Sequence, residues 1–201
     1  MRKSTSSLSN VHLSGDLLVG DFLAALTNRM TAETAKIVAE QTEADTLRTV
    51  QQATLNPGAA YLNPNEILST SQDMLVRSSL DAHVKKVQAE QVSAMAADQL
   101  SQMQSENQIA YVGKKVQINV LDHSSNPVES YWVNSKTGQE TTGIVKKSSI
   151  NGVIDTVALD KNLLLIKPTL GSRLINPARK YFLVYVINPQ TLTPAVKISL
   201  L

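Results

Sequence analysis

After Pro64 the chain runs to Asn107, and on to Val112, without a glycine or a second proline. Those are the two residues that most readily end a helix, one through backbone entropy and the other through its missing N–H and fixed ring. The start is as well marked as the interior. Asn63 suits an N-cap, Pro64 fits a first helical turn, and Glu66 stands three residues past the cap, in capping-box position. The spacing predicts one helix from Pro64 to about Asn107, ~44 residues or roughly 65 Å at ~1.5 Å per residue. A compact body of 201 residues is narrower than that. Leu68, Leu75, Ala82, Ala89, Ala96 and Met103 recur at every seventh position, the spacing of a seam that follows a supercoil. The seam is mostly Ala, so a facing helix can come close, and it is a candidate contact between chains. Its second register, Gln72, Ser79, Lys86 and Ser93, is polar, so this is not a self-sufficient leucine zipper.

Upstream, residues 15–30 (GDLLVGDFLAALTNRM) read as a short helix that Asp21 can cap, with Phe22, Leu23 and Leu26 on one side. Residues 31–55 read as the next, with Thr31 as N-cap and Glu33 and Glu40 placed to favour its N-terminal half. Ile37, Ala44 and Leu47 give this helix a thin apolar stripe. A break at Met30–Thr31 and one bent helix both fit. Residues 56–66 (NPGAAYLNPNE) end it, because two Asn-Pro steps and a Gly do not sit inside a helix. A hairpin with residues 31–55 would occupy only part of the long helix, and the remainder would lack a partner within the chain. Residues 1–14, Ser-rich at the start, are expected to be a flexible arm or one that orders against a partner.

The pattern changes at "ENQIAYVGKKVQINV", residues 106–120. Gly113 is the expected helix–strand junction, a bend or close backbone contact after which Val116, Ile118 and Val120 alternate with polar residues. Further strands are expected at 128–134, 141–147, 152–159, 162–167, 180–187 and 195–200, with turns at 136–139 (KTGQ) and 160–162 (DKN). The expected class is α+β: long N-terminal helices forming a hairpin or stalk, then a small all-β barrel or sandwich. The expected division is an arm at 1–14, a helical assembly domain at 15–108 and a β domain at 109–201.

Composition narrows the chemistry. There is no Cys, so disulfides, zinc thiolates and Cys nucleophiles are excluded. No apolar run approaches the ~20 residues of a membrane span. The basic N-terminus has no uninterrupted apolar stretch after it, so a cleaved signal peptide is not expected. Residues 1–110 hold 8 Lys/Arg against 12 Asp/Glu, and residues 111–201 hold 11 against 5. Opposite signs on the two halves suit packing of copies, and they also suit two ordinary solvated surfaces. The Lys pairs at 85–86, 114–115 and 146–147 are too small to form a phosphate patch, so nucleic acid is not expected as a partner. His12, His83 and His123 have no metal-ligand spacing. "GKK" at 113–115 lacks the upstream Gly and the following Ser/Thr of a phosphate loop and leads into a strand. Glu129, Glu140, Asp155 and Asp160 are scattered, without a signature that joins two of them. Tyr131 and Trp132 offer an exposed stacking platform or, since strand side chains alternate, one ring inside and one outside.

The order of parts resembles a known family. Phe22, Leu23 and Leu26 form an "FLxxL" stretch, "LNPNE" at 62–66 supplies a Pro-containing step, and a long Gln/Ser/Ala-rich helix then runs into "IAYVGKKVQI". Residues 141–167 look like a tudor-like barrel, with "G-x-V" opening a strand. Together these are similar to the flagellar hook-capping family, which scaffolds hook subunit assembly, and to relatives among tailed-phage structural proteins. Hook caps carry a "QDP" element soon after the Phe-Leu stretch. Here a further helix intervenes, the Pro follows Asn, and the C-terminal region is short for both a tudor-like barrel and an immunoglobulin-like domain. The resemblance therefore implies a tailed-phage tail, baseplate or adaptor component of the virion first, and an extracellular flagellar hook cap second. It implies ring-like copies of the chain and neighbouring structural subunits as partners, with no catalysis, cofactor or small-molecule substrate. A sugar-binding or enzymatic β domain on a helical stalk is the third expectation.

Overall fold

A computed structural model of the chain describes residues 13–55, 64–133, 136–169 and 179–201. Two helices come first: α1, Gly15–Leu55, and α2, Pro64–Tyr111. α1 passes Met30 and Thr31 without a break, so Thr31 is an interior residue and not a cap. Asp21 does not cap either. The cap is Ser14, whose Oγ accepts the N–H of Leu17 at 3.1 Å. Gly15 follows because α1 starts hard against the sheet: a Cβ there would fall on the backbone carbonyl of Ile198.

Among the described residues nine strands follow: β1 Lys115–Val120, β2 Val128–Val133, β3 Glu140–Ile144, β4 Ser149–Ala158, β5 Leu163–Pro168, β6 Arg179–Tyr185, β7 Ile187–Asn188, β8 Thr193–Pro194 and β9 Val196–Leu200. Helices followed by an antiparallel sheet make the chain α+β. Seven strands form one sheet in the order β3-β2-β6-β5-β4-β1-β9, and β7 pairs β8 apart from it. The expected closure into a barrel is not found among the described residues, since β3 and β9 stand at opposite ends of the sheet with no ladder between them. Nor do two large sheets face each other as in a sandwich. β3 suits an edge, because Glu140, Thr141 and Thr142 are exposed and polar.

Alternation decides the sheet's inner face. Val116 and Ile118 of β1 are buried, and Ile118 lies opposite Ile150 on one side and Ile198 on the other. Ile154, Leu164, Ile166, Phe182, Val184 and Val196 continue that surface, and Leu18, Phe22 and Leu26 of α1 belong to the same core. Beside the helices, Tyr111 donates its hydroxyl to the carbonyl of Ser14 at 3.1 Å, and Asn107 donates to the carboxylate of Asp21 at 3.0 Å. Gln108 accepts the backbone N–H of Val157 at 3.1 Å, just past the irregularity between Ile154 and Thr156.

Gly113 lies between α2 and β1 with φ 84°. Its N–H donates to Ile154 at 2.8 Å, and Ile154 returns a bond to Lys114 at 2.9 Å, so the turn is stitched to β4. The 160–162 turn is a short 3-10 helix, Leu159–Lys161, ending on left-handed Asn162. Asn162 bonds both backbone groups of Ile187, donating at 2.6 Å and accepting at 2.9 Å. A third tie is Asp122, which accepts from Asn188 at 2.8 Å and from the N–H of Ser124 at 3.0 Å. Its carboxyl is lowered to about 2, chiefly by hydrogen bonds from Ser124 and then Asn188.

The chain divides into two compact units, Met1–Thr27 with Leu100–Leu201, and Asn28–Gln99. The first holds the sheet, the start of α1 and the end of α2. The second is a helical hairpin.

Two measurements check these ties. Nothing lies within 4 Å of a Cβ built at Gly113, so the constraint there is conformational. Gly113→Val should cost about 2–3 kcal/mol and Gly113→Asn about 1 or less, since Asn tolerates positive φ. Equal denaturation midpoints for both variants and the wild type would mean that the junction relaxes freely. Asp122, with its depressed value, contributes stability that is complete above its ordinary 3.8 and lost as pH falls through about 2. Asp122→Asn should therefore be less stable at neutral pH and lose less between those values, read by thermal melts across the acid range.

Candidate functional site

Within the hairpin, burial follows a three-four rhythm, complete on α2 and with one gap, between Ala32 and Ala39, on α1. On α2 the shielded positions are Ser79, Ala82, Lys86, Ala89, Ser93 and Ala96. On α1 they are Ala32, Ala39, Glu43, Thr46 and Val50. Ala82 is 3% exposed and Ala32 7%. The Ala line that the spacing offered as a contact between chains is thus turned toward α1 of the same chain, and its polar second register lies in the same interface. The antiparallel register is fixed by one carboxylate. Glu43 takes Lys86 Nζ at 2.8 Å on one oxygen and His83 Nδ1 at 3.2 Å on the other. Carried one turn on, that register sets Ala39 opposite Ala89, and one heptad further sets Ala32 opposite Ala96. Lys86 first, and His83 second, hold the Glu43 carboxyl below its ordinary value, and Glu43 raises Lys86.

Of the other predicted seam residues, Met103 is half-buried against the sheet core, and the side chains of Leu68 and Leu75 lie outside the described residues. Pro64 is the first residue of α2. Asn63 and the side chain of Glu66 also lie outside the described residues.

Sequence reasoning missed the matching line on α1. Leu18, Ala25, Ala32, Ala39 and Thr46 are seven apart, a signal equal to that on α2. The larger Ile37, Ala44 and Leu47 stripe drew the reading instead, and it lies outside: Ile37 is 53% and Leu47 49% exposed. α2 likewise leaves Val76, Leu80, Val84 and Val87 open, with Leu80 at 61%.

Ile37, Leu47, Val76, Leu80 and Val87 share one flank of the hairpin, and Val84 points directly away from the seam. At about 100° per residue, Leu47, Ala44 and Ile37 rotate away from the α1 seam in one sense, and Val76, Val87 and Leu80 rotate likewise from the α2 seam. In an antiparallel pair those flanks fall together. The opposite flank is identified by the groove that Thr42, Asp45, Thr46, Thr49, Val50 and Ser78 line. Exposed apolar side chains thus stand on both flanks, Ile37, Leu47, Val76, Leu80 and Val87 on one and Val38, Met74, Val92 and Met95 on the other.

Among the described residues the remaining polar contacts are separate pairs. Asp155 pairs with Lys167 across β4 and β5, and Tyr131 hydrogen-bonds Glu140, which raises the phenol. Among the described residues no group of three His, Cys, Asp or Glu is placed to hold a metal. Tyr131 and Trp132 take opposite faces of β2, but neither joins the buried core. Tyr131 meets Tyr181 with ring centroids 6.4 Å apart, and Trp132 covers Gly143, its ring edge 3.0 Å from where a Cβ would stand. No described helix is long and apolar enough to cross a membrane. Comparison with family models, curated proteins and solved structures finds no match to the chain.

The seam is tight because its residues are small. Ala82→Leu should cost about 2 kcal/mol by overpacking and speed amide exchange in residues 28–99. Unchanged exchange would mean that the helices part without cost. Because Ala82 is already covered, changing it reports on the hairpin and not on contacts between chains.

Proposed function

We propose that the chain is a non-enzymatic structural protein that works in several copies within a tubular particle. A tailed-phage tail, baseplate or adaptor component of the virion is the first assignment, and a flagellar hook-capping scaffold is the alternative. The observation that carries this reading is the number of large apolar side chains that the hairpin leaves uncovered. Ile37, Leu47, Val76, Leu80, Val84 and Val87, with Val38, Met74, Val92 and Met95, stand between 38% and 69% exposed. Isolated exposed aliphatics are ordinary, but so many on one helical pair suit contact with other protein surfaces. A surface made of helix flanks, with no cleft at its centre, suits another protein surface better than a small substrate.

The order of parts supports the placement in a tube-capping family, with the seven-stranded sheet in the place of the tudor-like domain in an open form. The excess of acidic residues before position 111 and of basic residues after it supports contacts between unlike parts of neighbouring subunits. Both candidate settings use the same surface and differ in which tube it serves.

The decisive measurement is mass and shape in solution, by light scattering and small-angle scattering, for the protein alone and mixed with the products of neighbouring genes. Several copies per complex, and co-purification with tail or hook subunits, are expected. A chain that stays single in every mixture, and that is absent from purified particles, would overturn the assignment.

A further inference from the structure

We propose that the outer face of the sheet binds a cationic side chain, a lysine or arginine presented by a neighbouring protein subunit, at a site built around Glu129 and the rings of Tyr131, Tyr181 and Tyr185. The inference rests on the multi-copy reading only for the source of the cation. The site itself lies within one chain.

Strand register is the first ground. Glu129 and Tyr131 alternate with the buried Val128 and Ser130 of β2, so both stand on the side of the sheet away from the core. On β6, Tyr181, Leu183 and Tyr185 alternate in the same way with the buried Phe182 and Val184. The two strands pair Glu129 with Leu183 and Tyr131 with Tyr181. Side chains directly opposite or diagonal across such a pair reach one another. Glu129 therefore has Tyr131 along its own strand, Tyr181 and Tyr185 diagonally across on β6, and Ile144 of β3 opposite on its other side. Ile144 is 54% and Tyr185 37% exposed, so the place is open to a partner. Burial first, and the charge of Glu129 second, push the Tyr185 phenol up, which marks the carboxylate as near that ring.

Charge is the second ground, and it decides the ligand. Among the described residues no ion pair reaches Glu129. Lys167, the basic group of β5 on this face, pairs with Asp155 instead. Tyr131 donates its hydroxyl to Glu140, which holds the ring in place and sets a second carboxylate at the margin. The faces of aromatic rings are negative, so rings and carboxylates together attract a cation and repel an anion. A neutral sugar is served less well. Tyr131 and Tyr181 are inclined at 39° with centroids 6.4 Å apart, so they do not form the flat platform on which a sugar ring stacks, whereas a compact charge needs no common plane. Neighbouring copies have cations to offer, since residues 111–201 hold 11 Lys/Arg against 5 Asp/Glu.

The test titrates the full, isotope-labelled chain by nuclear magnetic resonance, at low and moderate salt, with the amides of Nα-acetyl-arginine and Nα-acetyl-lysine. Both should shift the backbone signals of Glu129, Tyr131, Leu183 and Tyr185 saturably, and salt should weaken the effect. Their neutral counterparts, with citrulline and Nε-acetyl-lysine in place of the charged residues, should bind about 10-fold less tightly or not at all. Glu129→Gln should weaken arginine amide binding about 10-fold, and Tyr185→Leu about 3-fold. Equal binding by the wild type and both variants would overturn the site, and so would an absence of shifts with every probe. Shifts with the neutral disaccharide cellobiose, and none with the cations, would overturn the ligand and make the face a sugar platform. In particles, the Glu129→Gln variant should be incorporated less than wild type, and normal incorporation would overturn a subunit as the source of the cation. A wild type that binds the cations but is absent from every particle would sink the multi-copy reading and that source with it, while the site itself would stand.

Discussion

The burial of Phe22 and Leu18 in the sheet core is the contact on which the rest is built. These residues lie in the second and first turns of α1, about a hundred positions before the strands they pack on, and both are fully buried. Once the start of the first helix is held there, the chain must leave, turn and come back to begin its sheet. α2 performs the return, and the two ends are fastened side by side. Tyr111 bonds the cap residue Ser14, Asn107 bonds Asp21, and Gly113 then turns the backbone onto β4. Asn107 is 5% exposed, and its Oδ1 has no hydrogen-bond partner among the described residues. A buried polar group of this kind does little for stability, but it penalises any slip of one helix along the other. Register is thus set at the sheet and again at Glu43 with Lys86 and His83.

Between those two pins the hairpin is held weakly. Its seam is Ala and Ser with one ion cluster. Removing a methyl group from water is worth little beside a Leu at ~25 cal/mol per Å². Close approach of the helices adds dispersion contact, but each contact is small. Exposed pairs such as Lys85–Asp81 at 2.7 Å add a few tenths of a kcal/mol. Apart from Val50, the larger aliphatic side chains described in the hairpin stand outside this interface. A helix pair usually buries its largest residues and exposes its smallest, and here the order is reversed.

That reversal explains what the sequence disclosed and what it hid. The two helices and the antiparallel strands were legible because Gly, Pro and alternation are local signals. Which stripe of a helix faces inward is not local. Ile37, Ala44 and Leu47 have the hydrophobicity that marks an inner face, and only the partner helix's Ala spacing favours Ala32 and Ala39 instead. The Ser14 cap was passed over for Asp21 because the helix start was sought at its apolar residues rather than at the glycine that must meet Ile198. Closure of the sheet depends on pairing between strands far apart in the chain, and short apolar runs do not specify which edges meet. Tyr131 and Trp132 alternate as strand side chains must, but the shift in register between them places both at the margin of the core.

The composition of α1 carries the same logic one step further. Thr34, Thr42, Thr46 and Thr49 each donate a hydroxyl to the carbonyl four residues back, at 2.8 to 2.9 Å. Such bonds satisfy the hydroxyl but weaken and bend a helix, and Thr is a poor helix former to begin with. The outer half of α1 therefore has low intrinsic helicity, a seam of small residues on one side and uncovered aliphatics on another. Each of these lowers the stability of the hairpin as a free unit. They become consistent when a second surface covers Ile37 and Leu47, because the helix then gains on both flanks what neither local propensity nor the Ala seam supplies.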